Sequence, residues 1–140
     1  MYFLLTFLLN IEPNGYAYRN TVKPGNLTIT KTSIGTTTPA DTEFTITGPE
    51  SYSKTVKYSE FKDGKYTIEN LPVGDYAVTE NSDSAKVDTY TLKVTGEGIA
   101  TVKKGETASI TITNVYTKDK GSLEITKQTS GSTTPADTEF

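Results

Sequence analysis

Residues 65–80 read KYTIENLPVGDYAVTE, and this stretch decides the fold. Polar and apolar residues alternate on both sides of the Pro72-Val73-Gly74 turn, as they do in strands that bury one face. The same pattern recurs and predicts seven strands, at residues 27–32, 43–47, 54–58, 65–69, 76–80, 89–95 and 107–116, with 100–102 adding a short pairing. No window shows the 3.6-residue apolar period of a helix. The sequence therefore predicts an all-β sandwich of the immunoglobulin-like or transthyretin-like kind.

The composition supports strands and excludes several function classes. Thr, which is β-branched and favours pleated surfaces, occurs 27 times in the 140 residues. The chain contains neither Cys nor His, which removes disulfides, thiolate and imidazole metal sites and catalysis by a His base. The formal net charge is -3 and no basic stripe is present, so we expect no nucleic-acid partner. We also expect no metal and no cofactor.

An internal repeat sets the domain organisation. Residues 25–44 read GNLTITKTSIGTTTPADTEF and residues 121–140 read GSLEITKQTSGSTTPADTEF, which agree at 14 of 20 positions with an offset of 96 residues. We therefore expect one complete unit at residues 25–120 and the start of a second at 121–140. Twenty residues bury too little apolar surface to offset the conformational entropy of ordering them, so the second copy should not fold alone.

Residues 1–24 precede the repeat and carry no copy of it. Their opening run, MYFLLTFLLN, is apolar but too short to span a bilayer. No Lys or Arg precedes it, so the segment is interpreted either as a truncated signal peptide or as the start of a partial reading frame. No stop-transfer run follows, and no membrane span is expected.

Strand parity brings three polar residues onto apolar faces. Side chains two residues apart share a face, so Lys31 follows Leu27 and Ile29, Glu80 follows Tyr76 and Val78, and Asn114 follows Ile110 and Ile112. These three groups are an amine, a carboxylic acid and a carboxamide. If the strand ends meet, the Lys31 amine can attack the Asn114 carboxamide while Glu80 moves protons to the departing ammonia.

An apolar setting would favour this reaction, because burial disfavours the charged forms of an amine and a carboxylic acid alike. A proton could then pass from Lys31 to Glu80, and the neutral acid could hydrogen-bond the carboxamide oxygen of Asn114. The alternative interpretation is structural. In it, Lys31 extends to the sandwich rim, Glu80 forms a surface ion pair with it, and Asn114 caps the last strand. Parity alone leaves both interpretations open.

Three runs resemble a known family: GNLTITKT, YTIENLPVGDYAVTE and ASITITNVY. They resemble the B-type repeat of Gram-positive collagen adhesins, also called the SpaA-like or prealbumin-like domain, over residues 25–116 and again from residue 121. The most specific part is the L-P-x-G-x-Y turn before a strand that ends in Glu80. The resemblance implies an inverse immunoglobulin-like sandwich with a spontaneous isopeptide bond between Lys31 and Asn114, promoted by Glu80.

The resemblance also implies a role as a stalk repeat of a cell-wall-attached adhesin or pilin on the outside of a Gram-positive bacterium. Its partners would be neighbouring repeats of the same chain, and its only catalysis would be its own single crosslinking event. The 140 residues contain neither an LPxTG sorting signal nor a pilin-type Lys motif, so anchoring would depend on other sequence. The alternative is an adhesive module that binds a host matrix protein or glycan directly.

Two further residue groups are candidates for binding sites. Asp83, Asp88, Glu97 and Glu106 are scattered in or near turns and are interpreted as solvated surface, because a calcium site needs converging oxygen ligands. The nine Tyr residues could form a sugar-binding platform. However, parity directs three of them toward the core, namely Tyr66, Tyr76 and Tyr90.

Overall fold

The structure, a computed structural model, describes residues 7–11, 17–21 and 23–140. Eight strands between residues 23 and 140 form the domain. They are β3 (Gly25–Ile34), β4 (Glu43–Thr47), β5 (Ser53–Lys57), β6 (Lys65–Leu71), β7 (Gly74–Glu80), β8 (Tyr90–Thr95), β9 (Gly98–Val102) and β10 (Thr107–Lys118). One sheet has the order β6-β3-β10-β8 and the other β5-β4-β7-β9. The predicted all-β, inverse immunoglobulin-like sandwich is confirmed.

The strand count of seven is too low, because Gly98–Val102 is a full strand, β9. It pairs antiparallel with β7 from Val78↔Gly98 to Gly74↔Val102. Its inward positions hold small residues, Gly98, Ala100 and Val102, whereas the larger Ile99 is 68% exposed. The apolar alternation in this stretch of sequence is consequently weak, although the strand itself pairs with β7 over its full length.

The first and last strands of the domain are parallel neighbours in the middle of one sheet. β3 and β10 pair from Thr107↔Asn26 to Val115↔Ile34, which places Ile29 beside Ile110 and Lys31 beside Ile112. The predicted parity is confirmed, since Leu27, Ile29 and Lys31 are all buried. Because the two strands run in the same direction, the chain enters this domain at one end and leaves it at the other.

The inward faces of the two sheets form one apolar core. Its fully buried members come from both sheets and include Leu27, Ile29, Phe44, Ile46, Tyr76, Val78 and Ile112. Of the three Tyr residues that the sequence analysis directs toward the core, Tyr76 is fully buried, whereas Tyr66 and Tyr90 are half-buried. The core thus contains the ring of Tyr76, whereas the rings of Tyr66 and Tyr90 lie at the edges of the sandwich.

The turn between β6 and β7 carries the chain from one sheet to the other. The Tyr76 hydroxyl donates a hydrogen bond of 2.8 Å to the carbonyl oxygen of Pro72, which fastens the start of β7 to the turn. Gly74 has a φ of 143°. A Cβ atom at Gly74 would lie 2.6 Å from Cγ of Pro49. A glycine is therefore required at this position both for its backbone conformation and for close packing.

Hydrogen bonds also secure both ends of the domain. At the entry, the backbone N–H of Gly105 donates to the carbonyl oxygen of Pro24 at 2.9 Å. At the exit, the N–H of Asp119 donates to the Thr89 carbonyl at 2.9 Å, and the Thr91 hydroxyl donates to the Asp119 carboxylate at 2.7 Å. The residue that follows the last strand is therefore still held by the domain.

The segments outside the domain are simpler. β1 (Phe7–Ile11) and β2 (Ala17–Thr21) form a two-stranded antiparallel sheet. The other residues before Lys23, to which the prediction for residues 1–24 also applies, lie outside the described residues. Residues 119–140 form no strand, and all of 121–140 are exposed except the half-buried Thr134. No helix within the described ranges is long and apolar enough to cross a membrane.

Candidate functional site

The three polar residues singled out by parity meet between the sheets. Lys31 on β3 and Asn114 on β10 lie on adjacent strands, offset by two residues because Lys31 pairs with Ile112. Glu80 ends β7 of the opposite sheet, where it pairs with Phe44. The carboxylate therefore approaches the amine and the carboxamide across the core of the sandwich.

Lys31 and Glu80 form a buried ion pair. Lys31 Nζ lies 3.0 Å from Glu80 Oε2, and both side chains are fully shielded from solvent. Neither atom has another hydrogen-bond partner among the described residues. Burial lowers the pKa of the Lys31 amine, although the adjacent Glu80 carboxylate opposes that shift. The surface ion pair of the alternative interpretation is therefore wrong.

Asn114 is fully buried and contacts Glu80 through its nitrogen. Asn114 Nδ2 donates a hydrogen bond of 2.6 Å to Glu80 Oε1. The carboxamide oxygen Oδ1, which the sequence-based mechanism pairs with Glu80, has no partner within the described part of the chain. Glu80 thus bridges the amine of Lys31 and the amide nitrogen of Asn114. This position suits proton transfer between the two nitrogens better than polarisation of the carbonyl.

Tyr116 completes the site, and the sequence analysis missed it. Its hydroxyl accepts a hydrogen bond of 3.1 Å from Asn114 Nδ2 and donates one of 2.8 Å to the carbonyl oxygen of Ala85. Tyr116 continues the inward series of Ile112 and Asn114, so the period of two already indicated its direction. Ala85 lies in the loop between β7 and β8, where no periodic signal exists.

Glu97 is exposed, as the sequence predicts, but its carboxylate also contacts the end of β7. Glu97 Oε1 accepts a hydrogen bond of 2.5 Å from the backbone N–H of Glu80. Its negative charge also favours the protonated form of Lys31 and so raises the pKa of that amine, though less than burial lowers it. Lys127, the counterpart of Lys31 in the second copy, is exposed and lies in no strand.

The fold and the site together define a class of protein: an immunoglobulin-like β-sandwich domain with a buried Lys-Glu-Asn cluster between its terminal strands and the facing sheet. Residues 27–117 match the family described as Domain of unknown function (DUF5979), and the chain belongs to this family. The finer assignment to the B-type repeat family stays a prediction. No curated protein sequence matches the chain.

Solved structures with the same fold include two bacterial proteins. A bacterial adhesin from Mobiluncus mulieris, described as containing intramolecular disulfide, isopeptide and ester bond cross-links, is similar with a TM-score of 0.53 and 16% identity. The match covers 76% of this chain and 46% of that one. The Bacillus anthracis TIE protein has a TM-score of 0.51 and 19% identity over 80% of this chain and 23% of its own. The chain thus spans less than half the length of either structure.

Proposed function

We propose that this domain is a stalk repeat of an extracellular adhesin or pilin, strengthened by a spontaneous isopeptide bond between Lys31 and Asn114. The observation that carries the proposal is the buried cluster, in which Glu80 lies 3.0 Å from Lys31 Nζ and 2.6 Å from Asn114 Nδ2. No external enzyme and no cofactor takes part. Glu80 is the proton shuttle.

The reaction exchanges one amide for another. A proton passes from the Lys31 ammonium to Glu80, and the neutral amine attacks Cγ of Asn114 to form a carbon–nitrogen bond. Glu80 then delivers this proton to Nδ2 and takes the second proton from the attacking nitrogen, the bond between Cγ and Nδ2 breaks, and ammonia leaves while Glu80 stays protonated. The product is an uncharged amide, so atoms and protons balance with the loss of one ammonia.

Burial supplies the driving force for the first step. The lowered pKa of Lys31 raises the fraction of the neutral, nucleophilic amine. In the unreacted state, Asn114 Oδ1 is buried without a hydrogen-bond partner among the described residues, and the partner of Lys31 Nζ is the Glu80 carboxylate. An unpaired polar group in a protein interior costs about 1 to 3 kcal/mol. Forming the amide also removes the buried charge of the amine, which carries a desolvation cost of its own.

The position of the bond suits a load-bearing stalk. It would join β3 to its parallel neighbour β10, the strands by which the chain enters and leaves the domain. Tension applied to the two ends would therefore pass through a covalent link instead of separating a ladder of hydrogen bonds. By analogy with a disulfide that closes a loop of similar length, the crosslink would contribute on the order of 4 kcal/mol of stability.

The comparisons support this proposal at the level of the fold, since similar domains occur in a bacterial adhesin described as isopeptide-crosslinked. Location outside a Gram-positive cell, attachment to its wall and contact with neighbouring repeats follow from the stalk role and belong to the same proposal. The alternative, direct binding of a host matrix protein or glycan, stays a prediction for binding experiments.

Intact mass measurement of the purified chain tests the crosslink. The wild type should be lighter than its calculated mass by one ammonia, whereas Lys31→Ala and Glu80→Ala should each have their calculated mass. Peptide mapping should place the bond between Lys31 and Asn114 and find Lys127 as a free amine, which makes Lys127 an internal control. A wild-type chain of full calculated mass would overturn the proposed crosslink.

A further inference from the structure

Glu97 lies in the turn that carries the chain from β8 in one sheet to β9 in the other. Both neighbours are glycines with positive φ, 88° at Gly96 and 153° at Gly98. A Cβ atom at Gly96 would collide with the carbonyl oxygen of Thr111 on β10. The turn is therefore packed directly against the strand that carries Asn114, and its position relative to the buried cluster is fixed.

The Glu97 carboxylate replaces a missing strand partner of β7. The pairing of β7 with β9 ends at Val78↔Gly98, two residues before Glu80. On the opposite edge, the N–H of Asn81 donates to the carbonyl oxygen of Glu43, the first residue of β4, so the N–H of Glu80 faces the β9 side. There it donates to Glu97 Oε1 at 2.5 Å. A side chain thus satisfies the amide that the strand no longer reaches.

This hydrogen bond holds the backbone of the residue on which the crosslinking geometry depends. The Glu80 side chain must stay within reach of Lys31 Nζ and Asn114 Nδ2 at the same time. Glu80 is the last residue of β7, where strands fray most readily because the pairing stops. Without Glu97, only the β4 side would restrain the backbone at Glu80.

Glu97 can be replaced without opening the core. It is an exposed residue, and it lines a cavity of about 650 Å³ together with Glu80, Val94 and Leu92. Of the three reacting residues, Glu80 is the one that borders this cavity among the described residues. Variants at position 97 therefore test the reaction and leave the apolar packing unchanged.

We propose that Glu97 is a positioning residue for the crosslink: its carboxylate fixes the backbone of Glu80 so that the Glu80 side chain bridges the amine and the carboxamide. The inference rests on the proposed isopeptide bond. It adds a residue that does not touch the reacting atoms and acts through Glu80.

The test follows ammonia loss over time in the full chain, by intact mass after cell-free synthesis, with circular dichroism as the check on folding. Glu97→Ala should slow the reaction by roughly 10-fold to 100-fold, since small misplacement of a reacting group has effects of that size. Glu97→Gln keeps an acceptor oxygen at the same place and should recover most of the rate. Glu69→Ala, at an exposed glutamate on β6, should react like the wild type.

Each outcome decides one of the two proposals. A folded Glu97→Ala chain that crosslinks at the wild-type rate would overturn the positioning role and leave the crosslink intact. Glu97→Gln as slow as Glu97→Ala would assign the effect to charge and also overturn it. A wild-type chain that loses no ammonia would overturn the crosslink itself, and the role of Glu97 with it.

Discussion

Asn114 Nδ2 donates a hydrogen bond of 3.1 Å to the hydroxyl oxygen of Tyr116, the next inward-facing residue of β10. The same hydroxyl donates to the carbonyl oxygen of Ala85, so it ties the carboxamide to the loop that follows β7. The carboxamide is thus held from one side by Glu80 and from the other by Tyr116. Its orientation is fixed by two partners that lie far apart in the sequence.

In a Lys31→Ala background, which keeps Asn114 unreacted, Tyr116→Phe should lower the free energy of unfolding by about 1 to 3 kcal/mol, because it leaves the Ala85 carbonyl without its donor and weakens the hold on Asn114. Urea denaturation measures this difference. Tyr90→Phe is the matched control, since the Tyr90 ring packs edge-on against that of Tyr116. Equal losses in the two variants would contradict a specific role for the Tyr116 hydroxyl.

Gly74→Ala should be more destabilising than Gly98→Ala. Both glycines have a positive φ, 143° and 153°, so each substitution carries a backbone cost of roughly 1 to 2 kcal/mol. Only Gly74 is also crowded, by Pro49 at 2.6 Å, whereas a Cβ atom at Gly98 would meet nothing within 4 Å. We expect an additional loss of about 1 to 3 kcal/mol for Gly74→Ala in denaturant titrations. Identical midpoints would show that the contact with Pro49 relaxes freely.

The stability of an uncrosslinked chain should depend on pH through Lys31. In Asn114→Ala the amine cannot react, and its pKa in the folded state is lower than the 10.5 of the unfolded chain. Between these two values the unfolded state binds more protons, so the free energy of unfolding should rise as the pH increases toward 10.5. Below the folded-state pKa the full cost of burying the charge is present.

Urea titrations across this pH range measure the slope. The control is the double variant Asn114→Ala, Lys31→Met, which keeps every other titrating group and should show a smaller rise. A rise of the same size in both variants would assign the pH dependence to groups other than Lys31.

Deletion of residues 121–140 should leave the domain folded and change its stability by less than about 0.5 kcal/mol, because these residues form no strand and are almost all exposed. Circular dichroism and thermal unfolding of the shortened chain check this. Loss of the β-type spectrum would mean that the domain does not end near residue 120.

The fold and the three central residues of the site were predictable from the sequence, because both depend on a period of two. The alternation that places Leu27 and Ile29 in the core also directs Lys31 inward, and the same holds for Asn114 on β10. The periodicity did not predict that the three side chains meet, because Glu80 lies in the facing sheet. The resemblance to crosslinked repeats supplied that step.

The sequence did not predict two features of the site, namely the contact made by a turn residue and the atom of Asn114 that contacts Glu80. Glu97 has the composition of a solvated turn, and nothing in Gly96-Glu97-Gly98 indicates that its carboxylate reaches the end of another strand. The contact of Glu80 with the nitrogen of Asn114, and not with its oxygen, depends on side-chain rotation. Neither feature could have been predicted from strand parity or from turn residues.

Where two complete copies follow one another at the 96-residue offset, the hydrogen bonds at the two ends of the domain would restrict how one is oriented on the next. The 96-residue offset aligns Asp119 with Lys23 and Lys120 with Pro24. Asp119 is already bound by Thr89 and Thr91 of its own domain. A following copy would bind the carbonyl of Lys120 as Gly105 binds that of Pro24. Because both residues at the junction would be hydrogen-bonded, rotation of one copy relative to the next would be limited, and a given face of the domain would recur at a regular angle along a series of copies.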